Sequence, residues 1–477
     1  MTKALCGAAV AALLIAAPAL AEPATPEGAK AVLDRYAAII GQEAIDKGLV
    51  SVKPDGDAYL VTWDFGPIIP KPEKPADPTI SIAPLSYRET PKGDGAYAWR
   101  AEALPEVTIA DTSNESGTMR FAAENAVIDA DFDPKAQEPM HAKADIGKFT
   151  VDFSMKKDDK PFEYHAATLD QHFDLVAKVG AADGTVDVES HHAAASGAQH
   201  VAVSVDSANG AQVDATLNEG ARHAGIIVQG LRSKALGELA AYLVANKDKT
   251  APELKQPVAV LLVQALPLFD QFSLTGEQGA DKLVSAFAVG GFDKAQTALD
   301  INGAAPADHA HWRLAFDKIT AASPIFPAWA ASMFPLSFDI DLSVDFRGLD
   351  EAAKLAIESG FDGDGSAEMG ALKARPAHLD SKISLHSPIL SLDSTGQASL
   401  TPPQSATQRV TVDGLDKVAD LVKKIGLAPR DAQQFGAWLA TAAKIAKKDA
   451  GGHLTWDISG WGPNVIVNGT PLSKLNH

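Results

Sequence analysis

Cysteine is almost absent from this chain, since Cys6 is the only one among its 477 residues. It lies in an amino-terminal segment with a basic residue at Lys3, an apolar run over 8–17 and a small-residue triplet at 19–21. This arrangement is typical of a secretory signal peptide that is cleaved after Ala21. The exported chain would then contain no cysteine, which excludes disulfides and thiolate metal sites.

Long hydrophobic runs are also scarce. The run over 8–17 is shorter than the roughly 20 residues that a spanning helix needs, although an uncleaved membrane anchor is the alternative interpretation. A second apolar stretch, 258–268, is typical of a helix that is buried in protein. We therefore expect no transmembrane span once residues 1–21 have been removed.

Basic residues are outnumbered by acidic ones. The chain has 42 Lys and Arg against 61 Asp and Glu, for a formal net charge of −19. A surface of this sign repels phosphate groups. Nucleic acid is therefore excluded as a partner, and so is electrostatic capture by an anionic membrane.

Sequence motifs for catalysis are missing. There is no G-x-S-x-G, no phosphate-binding glycine loop and no H-E-x-x-H. Ser154 and Lys157 match Ser-x-x-Lys by letter, but they lie in an alternating strand without the companion motifs of that chemistry. The pattern favours a non-enzymatic role without a cofactor.

Histidine clusters could in principle bind a metal. His309 and His311 would point to one side of a strand, but two histidines with one nearby acid do not complete a coordination sphere. A looser group consists of His191, His192 and His200. The acidic stretch 362–368 lacks the glycine and glutamate positions of a calcium loop. We therefore expect no metal site.

Apolar and polar residues alternate from residue 146 to residue 229. Period-two alternation is typical of strands with one buried face, and Asp183-Gly184 and Asn209-Gly210 lie where two-residue hairpin turns are expected. Tight turns between successive strands produce an antiparallel meander, because parallel strands need long crossovers. The predicted fold class is α+β, with antiparallel meander sheets that could be elongated and curved, and with flanking amphipathic helices.

Three predicted strand-to-helix junctions share a Gly-Leu pair, where glycine allows a sharp reversal of the chain. The glycines are Gly230, Gly348 and Gly414, and the residues that could cap the next helix are Ser233, Asp350 and Asp416. Because the junctions are unevenly spaced, they indicate an irregular strand-then-helix repeat rather than a solenoid of fixed period.

The predicted elements divide the chain into two β-rich lobes after the signal peptide, residues 1–21. The first lobe spans 22–270, begins with a helix over 26–46 and ends in two helices. The second lobe spans 271–477, contains further strands and helices, and ends in a hairpin over 454–467.

The closing segment contains the string Val467-Asn468-Gly469-Thr470-Pro471. With the export signal, the successive strands and the Gly-Leu junctions, it resembles the YdgA-like and AsmA-like periplasmic families of Gram-negative bacteria. Those families commonly close with a hairpin that ends in Val-Asn-Gly-x-Pro, and often keep a membrane anchor that cleavage after Ala21 would remove here. The resemblance implies a periplasmic location and an envelope role, with lipid contact along a curved sheet, and it implies no catalytic residues.

One face of the meander is predicted to be apolar. It carries Phe173, Leu175, Ala177, Val201, Val203 and Val205. The helices predicted at 233–245 and 253–268 are the nearest in sequence that could cover it, but their narrow apolar stripes do not cover five or six strands. We therefore predict that part of this face binds a lipid, another amphiphile or an envelope protein. Two alternatives stay open, a hydrolase with a dispersed active site and a scaffold in an envelope assembly.

Overall fold

The structure is a computed structural model, and it is mostly antiparallel β-sheet with a few helices, which confirms a β-rich α+β fold. It describes residues 24–69, 72, 74, 77–93, 95–111, 116–133, 138–157, 160–204, 212–246, 251–302, 308–324, 326, 330–346, 349–359, 366–367, 370, 377–399, 404–424 and 429–474. The predicted signal peptide, Val205, the Asn209-Gly210 turn and Gly348 lie outside these residues.

Two compact units make up the chain. The first comprises Met1–Val179, Val188–Gly225 and Leu283–Ala286. The second comprises Gly180–Asp187, Ile226–Lys282 and Phe287–His477. The pair of helices that the sequence analysis assigned to the end of the first lobe therefore lies in the second unit.

The first unit begins with helices α1 (Pro26–Ile40) and α2 (Gln42–Asp46) in place of the single predicted helix. They are separate because Gly41 has a φ of 88°, outside the helical region. The strands that follow are β1 (Val50–Asp55), β2 (Ala58–Trp63), β3 (Thr79–Ile82), β4 (Leu85–Gly93), β5 (Ala96–Ala101), β6 (Val107–Asp111), β7 (Gly117–Asp133), β8 (Glu138–Lys157), β9 (Lys160–Val179), β10 (Val186–Ser204), β11 (Gln212–Glu219) and β12 (Arg222–Leu231). The first two residues of β10 and the end of β12 belong to the second unit.

The predicted meander is present in the first unit. Strands β7 and β8, β8 and β9, and β10 and β11 are antiparallel pairs, and β9 also pairs with β10. Strand β10 has a third partner, because β12 pairs with it as well as β11. The long strands β8 and β9 have 20 residues each, far more than the short alternating segments that the sequence predicts.

Helix α1 packs its apolar side on β1 and the neighbouring strands. Thr25 caps the helix by accepting a hydrogen bond from the Gly28 amide at 3.0 Å. Val32 and Tyr36, four residues apart on one face, are buried, and the Tyr36 ring meets Trp63 edge to face at 5.6 Å. This contact joins the helix to the core of the first unit.

A buried ion pair lies within that core. The Arg35 guanidinium donates a short hydrogen bond to the Glu89 carboxylate, which also accepts one from the Tyr36 hydroxyl at 3.0 Å. Tyr36 and Tyr87 share a hydrogen bond of 2.6 Å. Burial raises the pKa of Tyr87 to about 12, because the phenolate would lose its water contacts.

The second unit combines strands with two groups of helices. The elements after β12 are α3 (Ser233–Ala245), α4 (Ala251–Gln264), β13 (Gln271–Gln278), β14 (Asp281–Ser285), β15 (Val289–Phe292), β16 (Lys294–Asn302), β17 (Asp308–Ala322), β18 (Leu336–Phe346), α5 (Leu349–Ser359), β19 (His378–His386), β20 (Ser391–Ser399), β21 (Ser405–Asp413), α6 (Leu415–Lys424), α7 (Pro429–Ile445), β22 (Lys447–Lys448), β23 (Leu454–Ser459), β24 (Ile466–Val467) and β25 (Thr470–Pro471). All of them belong to the second unit except the greater part of β14, which belongs to the first. Helix α4 packs on α3 and α5, and α6 packs on α7.

The carboxyl-terminal hairpin is fastened to α7. The buried Trp456 of β23 donates its indole hydrogen bond to the Ala442 carbonyl at 3.0 Å. The Asn468 side chain accepts a hydrogen bond from the Asp457 amide at 2.8 Å and donates one to the Ile445 carbonyl at 2.7 Å. The asparagine of the Val-Asn-Gly string therefore joins the hairpin to the end of the helix.

Two of the three junction glycines lie in the described residues. Gly230 and Gly414 have positive φ angles of 65° and 83°, where other residues are strained. A Cβ atom on Gly414 would lie 2.0 Å from the Ile389 carbonyl oxygen, so the space is also closed.

Candidate functional site

A row of irregular backbone crosses three long strands of the first unit. Asn125 in β7 and Asp170 in β9 have positive φ angles of 54° and 49°, and Gly147 of β8 lies between them in the register. A residue of this kind interrupts the pleat. A face that carries even-numbered residues on one side of the interruption therefore carries odd-numbered residues on the other side. The even-numbered Tyr164 and the odd-numbered Phe173 therefore both lie on the more buried face of strand β9. We call Asn125, Gly147 and Asp170 the kink row.

Side chains on one side of the kink row pack into the interior of the first unit. Phe132 of β7 and Ile146 of β8 are buried there, and the Phe132 ring stacks on Tyr97 at 4.7 Å between centroids. The predicted ligand-face residues on this side are Phe173, Leu175 and Ala177, of which Ala177 is buried and the others are half-buried. Most of this side is therefore packed interior.

On the other side of the kink row the same face is apolar but only half covered. It carries Met119, Phe121, Val151, Phe153, Met155, Phe162, Val201, Val203, Ala215 and Leu217, which we call the apolar patch. None of these side chains is fully buried, and the rings of Phe153 and Phe162 meet edge to face at 5.6 Å. The patch contains Val201 and Val203 of the predicted face, whereas Val205 lies outside the described residues.

A polar cluster lies where the apolar patch reaches the kink row. Tyr164 donates a hydrogen bond to Gln199 at 3.3 Å, and the Gln199 amide donates one to Glu219 at 2.6 Å. Arg222 contacts the Glu219 carboxylate at 3.1 Å and donates a hydrogen bond to the Thr168 hydroxyl, also at 3.1 Å. These five residues, which we call the polar cluster, meet because β11 ends and β12 begins beside the same strand, β10.

Two buried nitrogen atoms beside this cluster have no hydrogen-bond partner among the residues that the structure describes. They are Nε of Arg222 and Nε2 of His192. The His192 ring stacks on Phe173 with 4.2 Å between centroids. Burial lowers the pKa of His192, and the nearby charges of Arg222 and His223 lower it further, so the neutral ring is favoured.

The opposite face of the same strands is charged. Pairs across neighbouring strands include His172 with Asp145 at 2.6 Å and His200 with Asp214 at 2.8 Å. The sheet of the first unit therefore has one apolar face and one wet face, as antiparallel sheets commonly do.

Of the histidines considered as metal ligands, all except His192 pair with an acidic side chain. His309 lies 2.6 Å from Asp345, and Nε2 of His311 lies 3.0 Å from Asp341. His191 pairs with Glu189 at 2.8 Å. In the part of the chain that the structure describes, no group of three or more His, Cys, Asp or Glu residues is arranged to hold a metal ion.

The second unit also carries an apolar sheet face. Leu299, Trp312 and Leu342 are partners across β16, β17 and β18, and the next row continues the face to Ile383 of β19. Trp312 is 37% exposed and Ile383 is 36% exposed. Half-covered apolar faces are thus present in both units.

A groove of about 740 Å³ opens in the second unit, and most of the residues that line it have polar side chains. Arg409 and Lys447 flank Asp457 there, at 2.8 and 3.2 Å. The hydrogen bond from Arg409, supported by that from Lys447, lowers the pKa of Asp457.

Sequence reasoning did not single out the polar cluster. The sequence did indicate part of it, because Gln199 alternates in phase with Val201 and Val203, and Glu219 alternates in phase with Leu217. A polar residue in phase with an apolar face is a candidate for a buried polar site. No sequence pattern pointed to Arg222, since its position depends on how β12 pairs.

No family model, curated protein or solved structure matches this chain. Among the described helices, none combines the length and the hydrophobicity that crossing a bilayer requires.

Proposed function

We propose that this protein is a non-enzymatic periplasmic envelope protein that binds an amphiphile, with the apolar tail lying on the apolar patch. The proposal rests on one observation, that the apolar patch is only half covered by the rest of the protein. Its aromatic and aliphatic side chains lie side by side on β7 to β11, yet none is fully buried. Contiguous apolar surface that is left only half covered commonly marks a binding site.

The energy that burial of the tail can supply sets an upper limit to the affinity of such a site. A tail of about 14 methylenes contributes about 11 kcal/mol when it is fully buried. Association costs at least about 4 kcal/mol in lost freedom. The remaining 7 kcal/mol or so corresponds to a dissociation constant of a few micromolar.

Charge and location agree with this role. The net charge of −19 disfavours capture by an anionic surface, so the affinity would come from the tail. The signal-like amino terminus and the resemblance to YdgA-like and AsmA-like families support an envelope location. The apolar face of the second unit offers a further surface of the same chemistry.

Fluorescence titration with a labelled fatty acid tests the proposal. We expect micromolar binding, and we expect Val203→Asp to weaken it about tenfold or more, because a carboxylate would lie against the tail. The matched control is Thr216→Asp, which places the same charge on the wet face opposite His200. A folded Val203→Asp variant that binds as tightly as the control would remove the patch as the binding site.

A further inference from the structure

We infer that the bound amphiphile has an uncharged, hydrogen-bonding headgroup of the acylglycerol type, and that Arg222 and His192 hold this headgroup beside the kink row. The inference rests on the proposed function, since it places the headgroup at the end of the patch that holds the tail. It adds a ligand class and two headgroup-binding residues to the site.

The two unpaired nitrogen atoms are the first part of the argument. Arg222 uses Nη2 for Glu219 and Thr168, while its Nε is buried without an acceptor. Nε2 of His192 is buried without a partner as well. Each unsatisfied buried group costs about 1–3 kcal/mol, so a ligand that supplies hydrogen-bonding oxygens recovers free energy at both atoms.

The charge balance decides between headgroups. Arg222 is already neutralised by Glu219 at 3.1 Å, and the side chain of Glu219 is itself buried. The other members of the polar cluster are uncharged, and the neutral form of His192 is favoured. A carboxylate or phosphate headgroup would lie beside the Glu219 carboxylate in a poorly solvated place, which is unfavourable. Hydroxyl and ester oxygens carry no such penalty.

The polar cluster continues into the apolar patch. Gln199, Val201 and Val203 follow one another on the same face of β10. At about 3.4 Å per residue, Gln199 and Val203 are about 14 Å apart, a distance suited to an aliphatic chain. Tyr164, bonded to Gln199, lies two residues from Phe162 of the patch. A headgroup beside Arg222 would therefore have its tail directed along apolar side chains.

Displacement of the labelled fatty acid by 1-monopalmitoylglycerol and by palmitate tests the headgroup. The wild-type protein should bind the glycerol ester about tenfold more tightly, as expected for one to two hydrogen bonds that the carboxylate cannot make without repulsion. His192→Phe should abolish this preference by weakening binding of the glycerol ester. That variant keeps an aromatic ring against Phe173 and removes an unpaired nitrogen, so we expect it to fold.

Two further variants complete the test. His191→Phe is the matched control, because His191 is exposed and pairs with Glu189, and it should retain the preference. Arg222→Lys keeps the charge beside Glu219 but lacks the Nε donor, and it should lose the preference.

The outcomes separate the two proposals. If neither lipid displaces the probe and the probe itself does not bind, the proposed function fails. If both lipids bind equally well to the wild-type protein, only the headgroup inference is overturned. A preference that persists in His192→Phe and Arg222→Lys would also overturn it, because the headgroup would then lie elsewhere.

Discussion

Replacing Glu89 with glutamine measures how much the buried ion pair contributes to the stability of the first unit. The side chains of Arg35 and Glu89 are 6% and 2% exposed. Glutamine preserves the size of the side chain and an acceptor for the Tyr36 hydroxyl, but it removes the negative charge. Arg35 cannot lose its proton in compensation, since a guanidinium stays charged in proteins. A buried cation is thus left without a counterion.

Breaking a buried pair in this way costs about 3–5 kcal/mol. For a unit of about 200 residues, each kcal/mol lowers the melting temperature by about 2–4 °C. We therefore expect the calorimetric transition of the first unit to fall by about 6–20 °C. The matched control is Glu124→Gln, which breaks an exposed pair with Lys148 at 3.5 Å and should cost less than about 1 kcal/mol.

A double variant separates the net contribution of the ion pair to stability from the cost of burying one charge without its partner. Nη1 of Arg35 is buried and has no partner within the described part of the chain, so the pair is incompletely satisfied there. The double change Arg35→Met with Glu89→Leu removes both charges and this unpaired atom, and should recover most of the lost stability. Equal melting shifts for Glu89→Gln and Glu124→Gln would refute the reasoning, because the buried pair would then behave as a surface pair.

The remaining predictions concern pH and two glycines. Burial raises the pKa of Tyr87 from 10.0 to about 12, so its contribution to stability is complete below pH 10 and is lost as the pH rises towards 12. The stability of Tyr87→Phe, measured by alkaline unfolding, should therefore depend less on pH between pH 10 and pH 12. Gly414→Ala and Gly230→Ala should each cost about 1 kcal/mol or more in thermal unfolding, since both glycines have positive φ. Gly237→Ala, at a position in α3 with open space around it, should instead stabilise the protein by about 0.5–1 kcal/mol. Unchanged melting temperatures for Gly414→Ala and Gly230→Ala would contradict the strain argument.

The long strands of the meander show why the predicted strands were too short. Strand β9 runs from Lys160 to Val179, but its apolar side chains change parity at Asp170. A period-two pattern that shifts by one residue is interrupted in the sequence although the strand continues. Only the pairing with Gly147 and Asn125 identifies that interruption as a kink within one sheet.

Local chemistry explains what the sequence by itself determined. Alternation, turn dipeptides and helical spacing predicted a β-rich α+β chain, the meander and the closing hairpin, because one-sided burial and turn geometry act between near neighbours. The tertiary structure decided which part of the apolar face is packed and which is half covered. It also brought His192, Glu219 and Arg222 together through the pairing of β11 and β12 with one strand. Such contacts depend on strand pairing between residues far apart in the chain, which no local pattern specifies.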